Sequence, residues 1–267
     1  MAIWVSAATP GQPLLAPFLL SIAAGVVVAS VIAAIGVTIY VLTGRRRVKS
    51  FFGIGEHNRI VVYVSRLRID PFGSKDLEGV PRSYRGPGAA GNEFQLASEI
   101  QRFFVRLSPR FLRNGRASSI VRWVDIEVEA LISPQSPFEL EMTDGIVCLG
   151  SGAYNAASRA VEAHDKSWAR LHGIGNEIEI GFAGAVEGTF TGGVCFVQRV
   201  RNSNGQIRIE AAGLSNEGTD AATRYLLSHF QELERGYRKG VPFCILLKVT
   251  ESGVSVLRRM PSPSRTY

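Results

Sequence analysis

Two glycine-bearing passages hold the residue types best suited to chemistry. The first is Gly150-Ser151-Gly152-Ala153-Tyr154-Asn155-Ala156-Ala157-Ser158-Arg159, directly after the apolar stretch Gly145 to Leu149. The second is Gly213-Leu214-Ser215-Asn216-Glu217-Gly218-Thr219-Asp220-Ala221-Ala222-Thr223-Arg224, directly after Gln206 to Ala211. Both follow one plan: an apolar strand, glycines in a tight turn, an Asn or Thr near a cap, then Ala-Ala-[Ser/Thr]-Arg entering a helix. Glycine lets backbone approach a ligand, and unpaired N–H groups at a helix start attract phosphate or carboxylate. Arg159 and Arg224 stand at matching positions, where bidentate guanidinium bonds could clamp an anion. Asn155, Asn216, Ser151, Ser215 and Thr219 offer polar contacts, and Tyr154 offers a stacking face. The expected ligand site therefore comprises Gly150, Ser151, Gly152, Tyr154, Asn155, Arg159, Gly213, Ser215, Asn216, Gly218, Thr219 and Arg224. The competing use of each turn is as an ordinary strand-to-helix connection, with Thr219 serving as a helix cap.

A second polar group comprises Asp144, Glu162, His164 and Asp165, with Glu177 and Glu179 further on. Paired carboxylates could do acid and base work on a glycosidic or phosphoester bond, although charged residues on a helix are more often a solvated face. Neither glycine passage matches GxGxxG or a Walker loop, and no GxSxG or HExxH is present to name a reaction. Cys148, Cys195 and Cys244 each lie inside an apolar stretch and read as small core residues, and the four histidines are scattered, so no metal site is expected.

The elements that must position these residues alternate between strand and helix patterns. Arg59 to Ser65 reads as a buried strand. A helix is expected from Gly91-Asn92-Glu93 to about Leu107, with Phe94, Ala97, Ile100, Phe103, Phe104 and Leu107 recurring at three and four. Ile120 to Leu131 alternates, as a half-exposed strand does, and Gly145 to Leu149 is wholly apolar, as a central strand is. Asn204-Gly205 predicts a hairpin into Ile207, a helix follows from Thr219 to about Glu234, and Phe243 to Val249 and Val254 to Leu257 close the pattern. The expected fold is α/β, with a mixed, mostly parallel sheet and flanking helices, and Tyr63, Leu149 and Ala211 near the ends of neighbouring strands.

Leu14 to Leu42 carries no charge and is followed by Arg45, Arg46, Arg47 and Lys49. A helix over it would rise roughly 43 Å, enough to cross a hydrocarbon layer of about 30 Å. The pattern predicts a single transmembrane helix over 17–42, with the N-terminus outside and the following domain on the cytoplasmic side. Small residues along that helix suit self-association, and the basic flank suits anionic lipid. The expected organisation is a segment and membrane helix over 1–44, a basic linker over 45–58, a domain over 59–257 and an exposed tail over 258–267. The four flanking cations account for most of the +7 net charge, leaving 26 basic against 23 acidic residues, so nucleic acid is not an expected partner.

On Gly150-Ser151-Gly152 with Asn155, and Gly213 with Gly218-Thr219, the chain resembles Rossmann-related nucleotide-sensing domains that bacteria fuse to transmembrane segments in signalling and antiviral defense effectors. The resemblance implies a membrane-anchored sensor binding a nucleotide-like anionic ligand on the cytosolic face. The alternatives are a membrane-tethered hydrolase of nucleotides or N-glycosides, using Asp144 or Glu162, and a structural or protein-interaction module.

Overall fold

A computed structural model describes residues 15–67, 88–89, 91–107, 126–134, 145–152, 155–163, 167–172, 177–182, 185–202, 204–237 and 240–261. The chain divides into two compact units, Met1–Arg45 and Arg46–Tyr267.

In the first unit the described residues belong to helix α1 (Leu15–Phe52), whose last turns extend into the second. The transmembrane expectation is not met: among the described residues no helix is long and apolar enough to cross a membrane.

The second unit is built on a seven-stranded sheet in the order β12-β11-β9-β10-β5-β1-β4. Its strands are β1 (Arg59–Val64), β4 (Glu127–Ile132), β5 (Gly145–Leu149), β9 (Val194–Arg201), β10 (Ile207–Gly213), β11 (Phe243–Thr250) and β12 (Gly253–Met260). Short β2 (Arg66–Leu67) and β3 (Gly88–Ala89) pair with each other, and β6 (Ala169–His172), β7 (Glu177–Phe182) and β8 (Ala185–Thr191) form a separate antiparallel sheet. Strands β4, β1, β5 and β10 run parallel. The expectation of a mostly parallel sheet needs correction, because the pairings of β9 with β10, β11 with β9 and β12 with β11 are all antiparallel. The physical reason is that two of them are hairpins, whose turns contain Gly205 (φ 78°) and Gly253 (φ 128°), conformations that suit residues without a Cβ.

Helices α2 (Gly91–Leu107), α4 (Asn216–Ser228) and α5 (Phe230–Gly236) cover one face of the sheet; α3 (Ala156–Glu162) lies on the other. The first face carries Ile60, Val62, Val64, Val147, Leu149, Ile209 and Ala211 against Leu96, Ile100, Ala222, Leu226 and Phe230. The opposite face carries Val61, Tyr63, Ile146 and Cys148 against Ala157 and Val161 of α3. Farther along, Phe196, Ala212, Cys244 and Leu246 pack against Ala169, Ile178 and Ile180 of the small sheet. Strands sandwiched this way need apolar side chains on both sides, which is why Gly145–Leu149 is apolar and buried throughout. The three cysteines are free and buried, as their apolar settings indicated.

The core reaches back past the first strand. Val48, Phe51, Phe52 and Ile54, within the stretch expected to be a linker, are buried in it. Phe51 meets Phe230 edge-on at 5.1 Å, and Phe52 meets Phe104 edge-on at 5.0 Å. Each ring contributes about 2–3 kcal/mol by leaving water. At the other end, the expected exposed tail starts too early: Arg258 and Arg259 belong to β12 and Met260 is buried, while 262–267 lie outside the described residues.

Candidate functional site

Tyr63, Leu149 and Ala211 sit near the carboxyl ends of adjacent strands, since Tyr63 pairs with Cys148 and Ala211 with Leu149. After β1 the chain passes through α2 to β4 on one side, while β5 lies on the other side of β1 and leads into α3 on the opposite face. Chain direction therefore diverges between β1 and β5, and in open α/β sheets the crevice outside such a point is where ligands bind.

The groups at that point are largely the protein's own glutamates. Glu93 lies in the first turn of α2, on the same stripe as Leu96, Ala97, Ile100 and Phe104, and is buried with them. Its carboxyl accepts hydrogen bonds from the Ser65 amide and, at 2.9 Å, from the Ser65 hydroxyl, just past the end of β1. Burial pushes its pKa up to about 7, against the opposing pull of the two Ser65 bonds. Gly150, at φ 79°, leaves the space: a Cβ there would lie 2.4 Å from Glu93 Oε1. Gly152 makes room for Glu162 in the same way, with a Cβ position 2.7 Å from Glu162 Oε2, and its amide donates to Glu162 Oε1 at 3.0 Å. The glycine turn thus accommodates two internal carboxyls.

Asn155 is fully buried and ties the turn together. Its Nδ2 donates to Tyr63 O at 3.0 Å and Leu149 O at 2.7 Å, and its Oδ1 accepts from Ala157 N and Ser158 N as the cap of α3. Ser158 Oγ donates to Gly150 O at 2.8 Å. Gly150 N donates to Ala211 O, and Asn155 N to Ser151 O. The amides of residues 65, 150, 152, 155, 157 and 158, which an anion would have used, therefore all have partners within the chain.

Behind the turn lies a buried polar cluster that the sequence did not single out as a unit. Glu210 of β10 is fully buried, and Gln198 Nε2 donates to its Oε2 at 2.7 Å and to Ala169 O at 2.8 Å. Gln198 Oε1 accepts from Ser167 Oγ, Trp168 N and Ala169 N, each at 3.1 Å. Glu162 and Glu210 face one another, and burial raises both pKa values, Glu210 further because of the Glu162 charge. Glu162, for which the sequence leaves open catalysis or a solvated helix face, is buried and accepts from the Gly152 amide. Asp144, His164 and Asp165 lie outside the described residues, Glu177 is exposed on β7, and Glu179 is half-buried there.

The second passage has a different job. Ser215, rather than Thr219, caps α4, accepting from Gly218 N at 3.1 Å. A Cβ on Gly213 would lie 2.6 Å from the Gly218 carbonyl carbon, so the two glycines let β10 and α4 touch. Thr219 is buried and Asn216 exposed. Arg224 is exposed and donates to both Asp220 oxygens and to Glu99 at 2.9 Å. Arg159 donates through Nε to Gly152 O at 2.9 Å. Helices α3 and α4 lie on opposite faces of the sheet, so the two arginines do not converge into one clamp. Tyr154 lies outside the described residues.

No family model, no curated protein and no solved structure matches this chain. The resemblance to Rossmann-related nucleotide sensors, and the signalling and antiviral roles it implied, therefore have no support from relatives. With no membrane-crossing helix among the described residues, the membrane-anchored sensor, the tethered hydrolase, the lipid partner and the single-pass placement fall as well. Among the described residues no cluster of metal-ligating side chains occurs.

Proposed function

We propose that residues 46–267 form a binding module for a small, uncharged, hydroxyl-rich molecule, a sugar or polyol by chemical class, seated at the carboxyl ends of β1 and β5. The observation that carries this reading is the Glu93 carboxyl, held at the point where chain direction diverges and bonded, among the described residues, to Ser65 by two contacts. A carboxylate has about four lone-pair positions, so acceptor capacity remains for ligand hydroxyl groups. Gly150 lies next to it on the turn, and Gly152 and Asn155 set the turn's shape.

An anionic ligand is disfavoured by the same geometry. The amides it would need are occupied within the chain. The test is a melting-temperature screen of the full chain with neutral sugars and polyols against inorganic phosphate and sulfate. Stabilisation by a neutral hydroxyl-bearing compound, weakened about tenfold in affinity by Glu93→Gln, supports the reading. Stabilisation by phosphate or sulfate alone, or equal sugar binding by Glu93→Gln, overturns it.

A further inference from the structure

Glu210 Oε1 is fully buried and, among the described residues, has no hydrogen-bond donor, although its other oxygen receives Gln198 Nε2. The Ser158 hydroxyl is a polar neighbour, but its single hydrogen goes to Gly150 O. The remaining neighbour is the Glu162 carboxyl, which already accepts from the Gly152 amide and the Leu171 amide. Two carboxylates facing each other without a donor between them would be a costly arrangement in an interior. One hydrogen on either group resolves it.

We infer that Glu162 and Glu210 share one proton in a carboxylic acid–carboxylate hydrogen bond that clasps the Gly150–Asn155 turn to β10 and β6, and that losing this proton to solvent releases the turn. The clasp joins three places distant in sequence: Gly152 on the turn, Leu171 on β6, and β10 with Gln198 of β9 behind it. The charged and titratable groups around it are Arg159 near Glu162, Arg208 near Cys148, and Cys148 and Cys244, whose thiols burial pushes upward. Burial holds both thiols in their neutral form, so the carboxyl pair is the group of this cluster whose charge responds to pH. A pair this close loses its protons in two steps that belong to the pair as a unit. The first carboxylate is stabilised by the amides and by the acid beside it; the second ionisation places two like charges in a dry site and breaks the bond between them.

The consequence for ligand binding rests on reading the turn as the binding site, but the clasp is measured without a ligand. Infrared spectra of the full chain in a Glu93→Gln background, where Glu93 cannot contribute, should contain the C=O stretch of a protonated carboxylic acid at neutral pH. That band should disappear in Glu210→Gln, whose amide nitrogen donates to Glu162 permanently. Protection of the Gly152 amide from hydrogen exchange should fall about tenfold per pH unit as pH rises toward the second ionisation, and stay level in Glu210→Gln. If Glu210→Gln does not fold, the band and its alkaline loss are read in the Glu93→Gln protein alone. Absence of the band at neutral pH, or Gly152 protection that is independent of pH, overturns the clasp. A failed sugar screen with the band present would reject only the ligand reading.

Discussion

The buried carboxyl of Glu93 accepts both the amide and the hydroxyl of Ser65, a residue 28 positions earlier in the chain. This contact fixes the start of α2 to the end of β1, and it does so with a group whose preferred state in the fold is neutral. The folded pKa of about 7 lies above the ordinary 4.5, so between these values the folded chain holds a proton that the unfolded chain has lost. Stability from this group is therefore complete below about 4.5 and declines as pH rises through about 7, by about 3 kcal/mol. The expected outcome is a melting temperature that falls with pH over this window more steeply in the wild type than in Glu93→Gln. Parallel curves for the two proteins would reject a titrating Glu93.

Asn155 should tolerate no substitute. Asn155→Ala leaves Tyr63 O and Leu149 O without their side-chain donor and Ala157 N without its cap, at a cost of about 3 kcal/mol by urea unfolding. Asn155→Asp should cost at least as much, because a carboxylate cannot donate to two carbonyls. A loss below about 1 kcal/mol in both would mean that the turn is held by other means.

Gly213→Ala should destabilise by about 2 kcal/mol or more, since its Cβ would meet the backbone of Gly218 rather than a movable side chain. Gly188→Ala is the matched control: its new methyl would find only the Phe190 ring, at 3.6 Å. Equal melting temperatures for the two variants would show that β10 and α4 can separate without penalty.

Arg199 is buried between the rings of Phe51 and Phe243, 4.7 and 4.9 Å from their centroids, and donates to Tyr237 O, Val241 O and Phe51 O. A guanidinium suits these carbonyls because Phe51 and Tyr237 end helices, where the backbone presents partial negative charge. Burial lowers its pKa to about 9. Arg199→Ala is expected to lose about 3–5 kcal/mol, whereas Arg224→Ala, removing an exposed pair, should change stability by less than about 1 kcal/mol. Chemical denaturation of the two variants side by side checks the contrast.

Much of the scaffold was legible because it follows apolar periodicity. The uninterrupted apolar run to Leu149 marked a strand covered on both faces, Asn204-Gly205 marked a hairpin, and the three cysteines lay in apolar settings. The carboxyls were harder to read. Glu93 stands three and four residues before Leu96 and Ala97, on the buried stripe, but a periodicity counted over apolar residues starts at Phe94 and passes over an acid, a type rarely buried. Phe94 proves to be partly exposed. Glu210 alternates with Ile209 and Ala211 as an outward residue would; the small sheet covering that face leaves no mark in β10 itself. The parallel between the two Ala-Ala-[Ser/Thr]-Arg passages was real as local pattern, yet pattern does not say which face of a sheet a helix takes.

Phe51 and Phe52 carry a practical corollary for anyone dividing this chain. The strands invite a cut just before Arg59, where β1 begins. A fragment starting there would lack both rings and the Phe51 carbonyl that Arg199 binds, leaving a greasy socket facing solvent. Spacer residues inserted between 46 and 52 would act like interior mutations, because this short stretch behaves as the plug of the vessel rather than its handle.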